Sequence, residues 1–204
     1  MIIALDLDGV FRNFTGALIR QFKLDYPHLS SQIPQFESQL LTWELEDYWP
    51  PEWTDERLKE YFSKTRVNEI YANALPYPGA IHGYQKIRKY CTINDYKLII
   101  ITSASKQLVQ LANWQWLNKY SFSKSIDFVY MRKDKYNVPA DVLLDDALFN
   151  LREWQLVPAV SFPGPRVSVC YNKPWNQAWP GLRAYSYNQF ISILEGLKQK
   201  VRSI

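Results

Sequence analysis

Residues 4–10 are Ala-Leu-Asp-Leu-Asp-Gly-Val, a run that places two carboxylates at the end of an apolar segment. In an extended chain, side chains two positions apart share a face, so Asp6 and Asp8 point to the same side. Gly9 directly behind them allows the backbone to turn sharply and to approach whatever the carboxylates hold. Like charges this close repel each other, so the pair requires a shared proton or a cation such as Mg²⁺, which prefers oxygen ligands. The pattern predicts a buried strand that ends in an acidic site; a strand that ends in a plain acidic turn is the alternative.

The composition is that of an ordinary globular protein. A chain of 204 residues with 47% hydrophobic and 22% charged residues fits one domain, or one core with a small inserted lid. No apolar run approaches the roughly 20 residues of a membrane helix, and the amino terminus lacks a basic leader. We therefore expect a cytoplasmic protein, in the host cytoplasm if its source is a virus, with no membrane partner.

The charge and the cysteines narrow the expected partners. The net charge of +4 suits an anionic substrate, but Lys and Arg are scattered and form no basic run of five or more residues. We therefore expect no stable binding to nucleic acid. Cys91 and Cys170 lie far apart without metal-ligand spacing, so they are predicted to be free thiols in a reducing compartment. A homodimer is compatible with the sequence, which does not fix the oligomeric state.

Apolar runs alternate with helical patterns over most of the chain. Strands are predicted at residues 2–7, 97–101, 126–130, 141–145 and 167–170. Helices are predicted at about residues 14–23, 79–90, 105–119 and 187–200. Continuous apolar strands that alternate with helices indicate a parallel sheet covered on both faces, which is an α/β fold.

The chain between the first two strands has a different character. It is polar and aromatic with no convincing strand, and we expect helices near residues 35–46 and 54–63. Such a segment after the first strand is typical of a lid. The predicted organisation is a core of residues 1–13 and 76–204, with a small all-helical cap of residues 14–75.

Polar side chains follow three of the predicted strands, and a lysine-rich loop precedes the fourth. These candidate functional residues are Asp6 and Asp8 after the first strand, Thr102 and Ser103 after the second, Lys135 in the loop, and Asp145 and Asp146 after the fourth. Ligands of doubly wound sheets collect at the carboxyl ends of the strands. A helix cap or a solvated loop would explain each group alone, but their common placement favours one site.

This combination of motifs resembles the haloacid dehalogenase-like (HAD) superfamily of phosphohydrolases. The resemblance rests on residues 6–10, on the apolar strand ending in Thr102, on Lys135 and on the acidic pair that follows residues 143–144. It implies a Rossmann-like core with a parallel central sheet and a small all-helical cap inserted after the first strand.

A narrower resemblance points to the 5′(3′)-deoxyribonucleotidases within that superfamily. It is carried by residues 6–14, 76–80, 101–106 and 134–146, and the tail 171–177 fits bacterial and phage members. It implies a phosphatase that acts on nucleoside monophosphates, with a lean towards pyrimidine deoxyribonucleotides.

The resemblance also implies roles for the acidic residues. Asp6 would be the nucleophile that forms an aspartyl-phosphate, and Asp8 the acid and base. Mg²⁺ would be held by Asp6, the carbonyl oxygen of Asp8 and one or both of Asp145 and Asp146. Adjacent residues on a strand point to opposite faces, so one of this late pair is expected to touch the metal and the other to act through water or Lys135. The sequence leaves open which one does so.

Phosphate and base would be bound by other side chains. The resemblance assigns phosphate binding to Thr102, Ser103, Lys106 and Lys135. Base stacking on aromatic rings contributes roughly 1–3 kcal/mol per base, and the resemblance assigns that role to Phe14, with Tyr48 and Trp49 of the cap as further candidates. Other tryptophans are interpreted as packing residues, namely Trp43, Trp53, Trp114 and Trp116.

Two alternatives to a nucleotidase remain. The same chemistry on another ester, such as a sugar phosphate or a polynucleotide 3′ end, is the first. The second is a non-catalytic module that retains the fold and binds a phosphorylated partner.

Overall fold

A six-stranded parallel sheet forms the centre of the molecule in the computed structural model, which describes residues 1–161 and 163–202. The strands are β1 (Ile2–Leu5), β2 (Lys97–Thr102), β3 (Phe128–Met131), β4 (Val142–Asp145), β5 (Val167–Tyr171) and β6 (Leu182–Ala184). Their order across the sheet is β3-β2-β1-β4-β5-β6, and every neighbouring pair is parallel. The α/β fold class is confirmed. β6 was not predicted, because its three residues are too few to give a periodic pattern.

Helices cover both faces of this sheet. They are α1 (Phe14–Asp25), α2 (Asp55–Glu60), α3 (Ala80–Ile93), α4 (Gln107–Lys119), α5 (Leu148–Gln155) and α6 (Tyr187–Arg202). The predicted helices at 14–23, 79–90, 105–119 and 187–200 correspond to α1, α3, α4 and α6. α5 was not predicted, because its eight residues shortly after β4 give no clear helical pattern.

The strands are apolar throughout because the sheet is buried on both sides. Ile3 and Leu5 of β1 belong to a core that includes side chains of α3 and α6. Ala4 lies between them and faces a second core, which includes Leu151 and Trp154 of α5. Alternation along β1 therefore fills two hydrophobic layers from one short strand.

The segment between β1 and β2 holds less regular helix than predicted. The expected helix at 35–46 is wrong, because this stretch forms only short 3₁₀ turns at Glu37–Gln39 and Leu45–Tyr48. Side chains bind the backbone N–H groups that a helix would need: the Tyr48 hydroxyl accepts from Leu41 and Thr42 at 2.7 and 2.8 Å. Such local bonds compete with helix formation. The helix expected near 54–63 is α2, which continues as a π-helix over Tyr61–Thr65.

This segment has its own aromatic core. Phe22 of α1 lies with its ring centroid 4.7 Å from Trp53 and 5.8 Å from Tyr61. The same cluster extends to Val109 and Ala112 of α4, so the segment packs on the sheet domain at that helix. We refer to residues 14–75 as the cap; their division from the core remains a prediction. Within the described ranges, no helix combines the length and apolar character needed to cross a bilayer.

Candidate active site

A cavity of about 420 Å³ lies at the carboxyl ends of β1, β2 and β4, between the sheet and the cap. Parallel strands end on the same edge of the sheet, which is why residues far apart in sequence meet there. Six predicted site residues line this cavity, namely Asp6, Asp8, Phe14, Ser103, Lys106 and Lys135. Trp43, which had been interpreted as a packing residue, lines it as well.

Three buried carboxylates cluster at the site, and of these three Asp6 lines the cavity. Asp6, Asp145 and Asp146 each offer an oxygen, and these atoms all lie within 4.8 Å of one another. Gly9 makes the arrangement possible because its φ of +72° is in the left-handed region and its backbone lies against Asp146. A Cβ at this position would come 2.0 Å from Asp146 Oδ2.

Burial and mutual repulsion perturb these carboxyls. Burial, followed by the nearby Asp145 charge, raises the pKa of Asp6 to about 8, although Lys135 opposes the shift. Burial, followed by the charges of Asp145 and Asp6, also holds the pKa of Asp146 well above its usual range. Burial lowers the pKa of Lys135, but the Asp145 and Asp6 carboxylates more than compensate and leave it raised. Lys135 is therefore a cation at neutral pH, bound to two of the three acids.

Hydrogen bonding distinguishes Asp145 from Asp146. Asp145 Oδ1 accepts the N–H of Ala147 at 2.8 Å, and Oδ2 accepts from Lys135 at 2.8 Å and Asn150 at 3.0 Å. Asp146 Oδ2 accepts the indole N–H of Trp175 at 3.1 Å, whereas its Oδ1 has no hydrogen-bond partner among the described residues.

This donor set fits a hard divalent cation. Asp146 has one buried carboxylate oxygen without a hydrogen-bond partner among the described residues, and an oxygen of Asp146 lies within 4.8 Å of one of Asp6. Oxygen ligands are those that Mg²⁺ prefers. The lone pairs of Asp145 are largely engaged, so Asp146 is the better candidate for direct contact and Asp145 for orienting Lys135. The two acids that the sequence could not rank are thus distinguished by their hydrogen bonds.

Asp8 stands apart from the acidic cluster. Its Oδ1 and Oδ2 accept from Arg12 Nε at 2.6 Å and from Arg12 Nη2 at 2.8 Å. The Arg12 side chain is fully buried, whereas Asp8 retains 24% of its side-chain exposure and lines the cavity. Arg12 was not predicted as a site residue, because a basic residue after an acidic motif carries no signal of its own.

The predicted phosphate-binding residues surround the same region. The Thr102 hydroxyl is buried at the end of β2 and lacks a hydrogen-bond partner in the described part of the chain, while Ser103 is exposed and lines the cavity. Lys106 also lines it, and its ammonium group donates to Ser63 Oγ of the cap at 2.5 Å. A phosphate in the cavity would supply the acceptor that Thr102 lacks.

The aromatic residues divide differently from the prediction. Phe14 lines the cavity, with its ring centroid 5.4 Å from Phe62 and 5.0 Å from Tyr71. Tyr48 and Trp49 do not line it. The Trp49 side chain is only 5% exposed in the cap core, and the Tyr48 hydroxyl accepts from the backbone of its own turn.

Trp43, which was interpreted as a packing residue, lies on the cavity wall instead. It is 43% exposed, and its ring centroid lies 5.8 Å from Phe149 and 6.0 Å from Trp175. Phe149 follows the acidic pair closely, and Trp175 lies in the tail motif 171–177, so proximity to these motifs was the available signal. Cap and core thus build one aromatic wall together.

Residues 1–200 of the chain match the model of the family described as 5′ nucleotidase, deoxy (Pyrimidine), cytosolic type C protein. The chain belongs to this family. The HAD-type resemblance drawn from the motifs is therefore confirmed.

Known relatives of this nucleotidase family align with the chain over part of their length. The mitochondrial 5′(3′)-deoxyribonucleotidase of Homo sapiens is 24% identical over 148 residues, which covers 71% of this chain and 61% of that protein. The Mus musculus protein of the same name is 23% identical over 148 residues, covering 71% and 63%. The chain thus matches somewhat over three-fifths of the length of these relatives.

Solved structures resemble the fold of this family member at low sequence identity. A haloacid dehalogenase-like hydrolase from Streptococcus pneumoniae superposes with a TM-score of 0.62 at 13% identity, covering 95% of this chain and 97% of that one. A HAD-type hydrolase from Bacillus subtilis, solved bound to magnesium, gives 0.60 at 15% identity, covering 95% and 98%. These similarities establish the HAD fold.

One further contact joins cap and core in this nucleotidase-family chain. Lys173, which follows β5, donates to Glu37 of the cap at 3.1 Å, and its ammonium group lies 3.3 Å from the ring centroid of Tyr77. The Tyr77 hydroxyl donates to the same Glu37 oxygen at 2.6 Å. Burial lowers the pKa of Lys173, and Glu37 opposes that shift. This largely buried ion pair joins the cap to the segment that follows β5.

Proposed function

We propose that the protein is a Mg²⁺-dependent phosphatase that hydrolyses nucleoside monophosphates, with a preference for pyrimidine deoxyribonucleotides, through an aspartyl-phosphate. One observation carries the proposal: a single cavity is lined by Asp6, Asp8 and Lys135, next to a cluster of buried carboxylates, and by aromatic side chains on its wall. A phosphate ester with a flat, apolar group fits this division of the surface.

Asp6 acts as the nucleophile. Its carboxylate oxygen attacks phosphorus, and the bond from phosphorus to the leaving ribose oxygen breaks as the aspartyl-phosphate forms. Lys135, 2.8 Å from Asp6 Oδ1, opposes the effect of burial on the pKa of this carboxyl and so favours the ionised form that attacks. Water then attacks phosphorus and releases inorganic phosphate and free Asp6.

Asp8 moves the protons of both steps. It gives a proton to the leaving ribose oxygen in the first step and takes one from the attacking water in the second. Its carboxylate lines the cavity at the end of β1, two residues from Asp6.

Mg²⁺, held by Asp6, Asp146 and the carbonyl oxygen of Asp8, would neutralise charge between carboxylate and phosphate and on the phosphoryl oxygens. The remaining phosphate contacts come from the chain itself. Thr102, Ser103 and Lys106 supply hydroxyl and ammonium donors at the end of β2 and the start of α4. Charge-assisted donors of this kind are the stronger class of hydrogen bond.

The aromatic wall receives the base. Phe14 and Trp43 lie on the cavity surface and offer ring faces for stacking, which contributes about 1–3 kcal/mol per base. A substrate without a base would lose this contribution. That difference separates the proposed function from action on sugar phosphates.

Release of inorganic phosphate tests the proposal. We expect turnover of deoxyribonucleoside monophosphates with Mg²⁺, none after chelation, and a loss of at least about 10³-fold in Asp6→Asn. Asp95→Asn is the matched control, because Asp95 is exposed in the turn after α3 and lies outside the cavity lining. Unchanged turnover in Asp6→Asn would refute the mechanism.

A panel of phosphate esters tests the substrate. Thymidine, uridine and deoxyguanosine monophosphates, a hexose phosphate and an oligonucleotide with a 3′ phosphate should be compared by kcat/KM. A flat profile, or preference for the oligonucleotide end, would replace the nucleotidase proposal with the ester alternative. Absence of turnover on every ester would favour the non-catalytic module.

A further inference from the structure

Arg12 is a buried cation that lies next to the cavity-lining residue Asp8. The loop after β1 folds back on itself: the N–H of Arg12 donates to the carbonyl of Leu7 at 2.9 Å, and that of Gly9 donates to the carbonyl of Arg12 at 3.1 Å. This turn brings Arg12 next to Asp8, and the two residues form an isolated β-bridge. Its side chain is fully buried, although arginine is rarely buried without a partner.

The guanidinium group binds Asp8 with two parallel hydrogen bonds. The Nε–Oδ1 distance is 2.6 Å and the Nη2–Oδ2 distance is 2.8 Å. A planar fork of this kind fixes the plane and direction of a carboxylate, which a lysine cannot do. Asp8 is therefore held in one orientation at the cavity wall.

The other end of the Arg12 guanidinium contacts the last part of the cap, the segment that leads back to the core. Its Nη1 lies 3.4 Å from the carbonyl oxygen of Tyr71, and its Cζ lies 5.0 Å from the ring centroid of Tyr71 and 5.7 Å from that of Trp116. The indole N–H of Trp116 donates to the carbonyl of Ala74, at the end of the same segment of the cap. Tyr71 itself lines the cavity.

We propose that Arg12 is a positioning residue for the reaction: it orients the Asp8 carboxylate towards the leaving oxygen and couples that orientation to the packing of the cap on the core. The inference rests on the proposed function, in which Asp8 donates the proton that the leaving oxygen gains when its bond to phosphorus breaks. A misdirected Asp8 then matters only where the leaving group needs that proton.

Leaving-group dependence separates this role from a structural one. Arg12→Met should lower kcat/KM for a deoxyribonucleoside monophosphate by about 10²-fold, since proton transfer contributes about 10²–10⁴-fold and misplacement of a group is costly. For 2,4-dinitrophenyl phosphate, whose leaving group needs no proton, the loss should stay below about threefold. Because kcat/KM stops at aspartyl-phosphate formation, it excludes the later hydrolysis by water.

A double-mutant cycle tests whether Arg12 acts through Asp8. In an Asp8→Asn background, Arg12→Met should change kcat/KM for the nucleotide by less than about threefold. Arg12→Lys keeps the charge and should show a smaller version of the same substrate ratio, which covers the case that the methionine variant does not fold. Arg66→Met is the matched control, since Arg66 makes a similar two-bond pair with Asp25 in the cap, outside the cavity lining.

Equal losses on both esters in Arg12→Lys and Arg12→Met would overturn the inference, as would an undiminished effect of Arg12→Met beside Asp8→Asn. Either result would leave the proposed function standing, because the unmodified protein would still hydrolyse both esters. If the unmodified protein hydrolyses neither ester, the proposed function fails and this inference fails with it.

Discussion

Replacing Lys135 with methionine removes the buried ammonium group that contacts both Asp6 and Asp145 at 2.8 Å. Methionine is similar in length and apolar, so the change deletes charge more than volume. Three carboxylates within 4.8 Å of one another would then have to share their space without that cation. Breaking a buried ion pair by removing one partner costs about 3–5 kcal/mol, out of about 5–15 kcal/mol for a typical domain.

The cost depends on pH in a definite direction. Because the pKa of Asp6 is raised to about 8, the folded metal-free protein binds a proton that the unfolded chain releases near pH 4. The stability that comes from this proton is complete below about pH 4 and is lost as the pH rises through about 8. Without Lys135 the carboxyls bind protons still more tightly, so the deficit of Lys135→Met should be larger at pH 8 than at pH 5.

Urea unfolding followed by fluorescence of the eight tryptophans measures this effect. We expect Lys135→Met to lose about 3–5 kcal/mol at pH 8 without metal, to recover part of it with Mg²⁺ through binding to the folded state, and to lose phosphatase activity by about 10²-fold or more. Lys133→Met, an exposed neighbour that lines the same cavity, should stay within about 0.5 kcal/mol of the unmodified protein. A loss below about 1 kcal/mol at both pH values would refute the reasoning.

Other substitutions test separate parts of the site. Gly9→Ala, whose Cβ would lie 2.0 Å from Asp146 Oδ2, should weaken Mg²⁺ binding measured by calorimetry by at least about tenfold; Gly79→Ala, with a φ of +76° but open space, controls for backbone strain, and equal Mg²⁺ affinities would contradict the argument. Trp43→Ala should raise KM for a nucleotide about 5- to 100-fold through lost stacking while leaving KM for a small alkyl phosphate unchanged, and parallel changes for the two esters would show that Trp43 does not touch the base. Both cysteines are buried, and burial raises each thiol pKa to about 12, so neither should react with a disulfide reagent at pH 8 until urea unfolds the chain; prompt reaction in the native state would contradict their burial.

The sequence predicted the parts of the fold that follow from local pattern. Five strands and five helices were found because a two-sided parallel sheet requires long apolar runs between amphipathic helices. The position of the acidic cluster was predicted by the same logic, since Asp6 and Asp145 stand at the ends of those strands, as Thr102 does. The short elements α5 and β6 were missed because three to eight residues carry too little periodicity.

The parts that failed depend on contacts distant in sequence. Nothing near Trp43 indicates that it meets Phe149 and Trp175, more than 100 positions away, and nothing near Trp49 indicates that the cap core will enclose it. Arg12 is four residues from Asp8, yet its pairing depends on the turn that Gly9 permits. Local propensity does not contain such information, because tertiary packing decides which ring or charge faces the cavity.

The chain leaves the core for the cap and returns at nearly the same point. The N–H of Asn13 donates to the carbonyl of Leu75 at 2.9 Å, and the N–H of Tyr77 donates to the carbonyl of Phe11 at 2.9 Å. Insertions whose ends lie this close are the kind that a host fold accepts without rearrangement. A different cap could therefore be joined at this crossing while the carboxylates of the sheet edge keep their places, so that substrate range and phosphate chemistry can be exchanged independently, in evolution or in engineering.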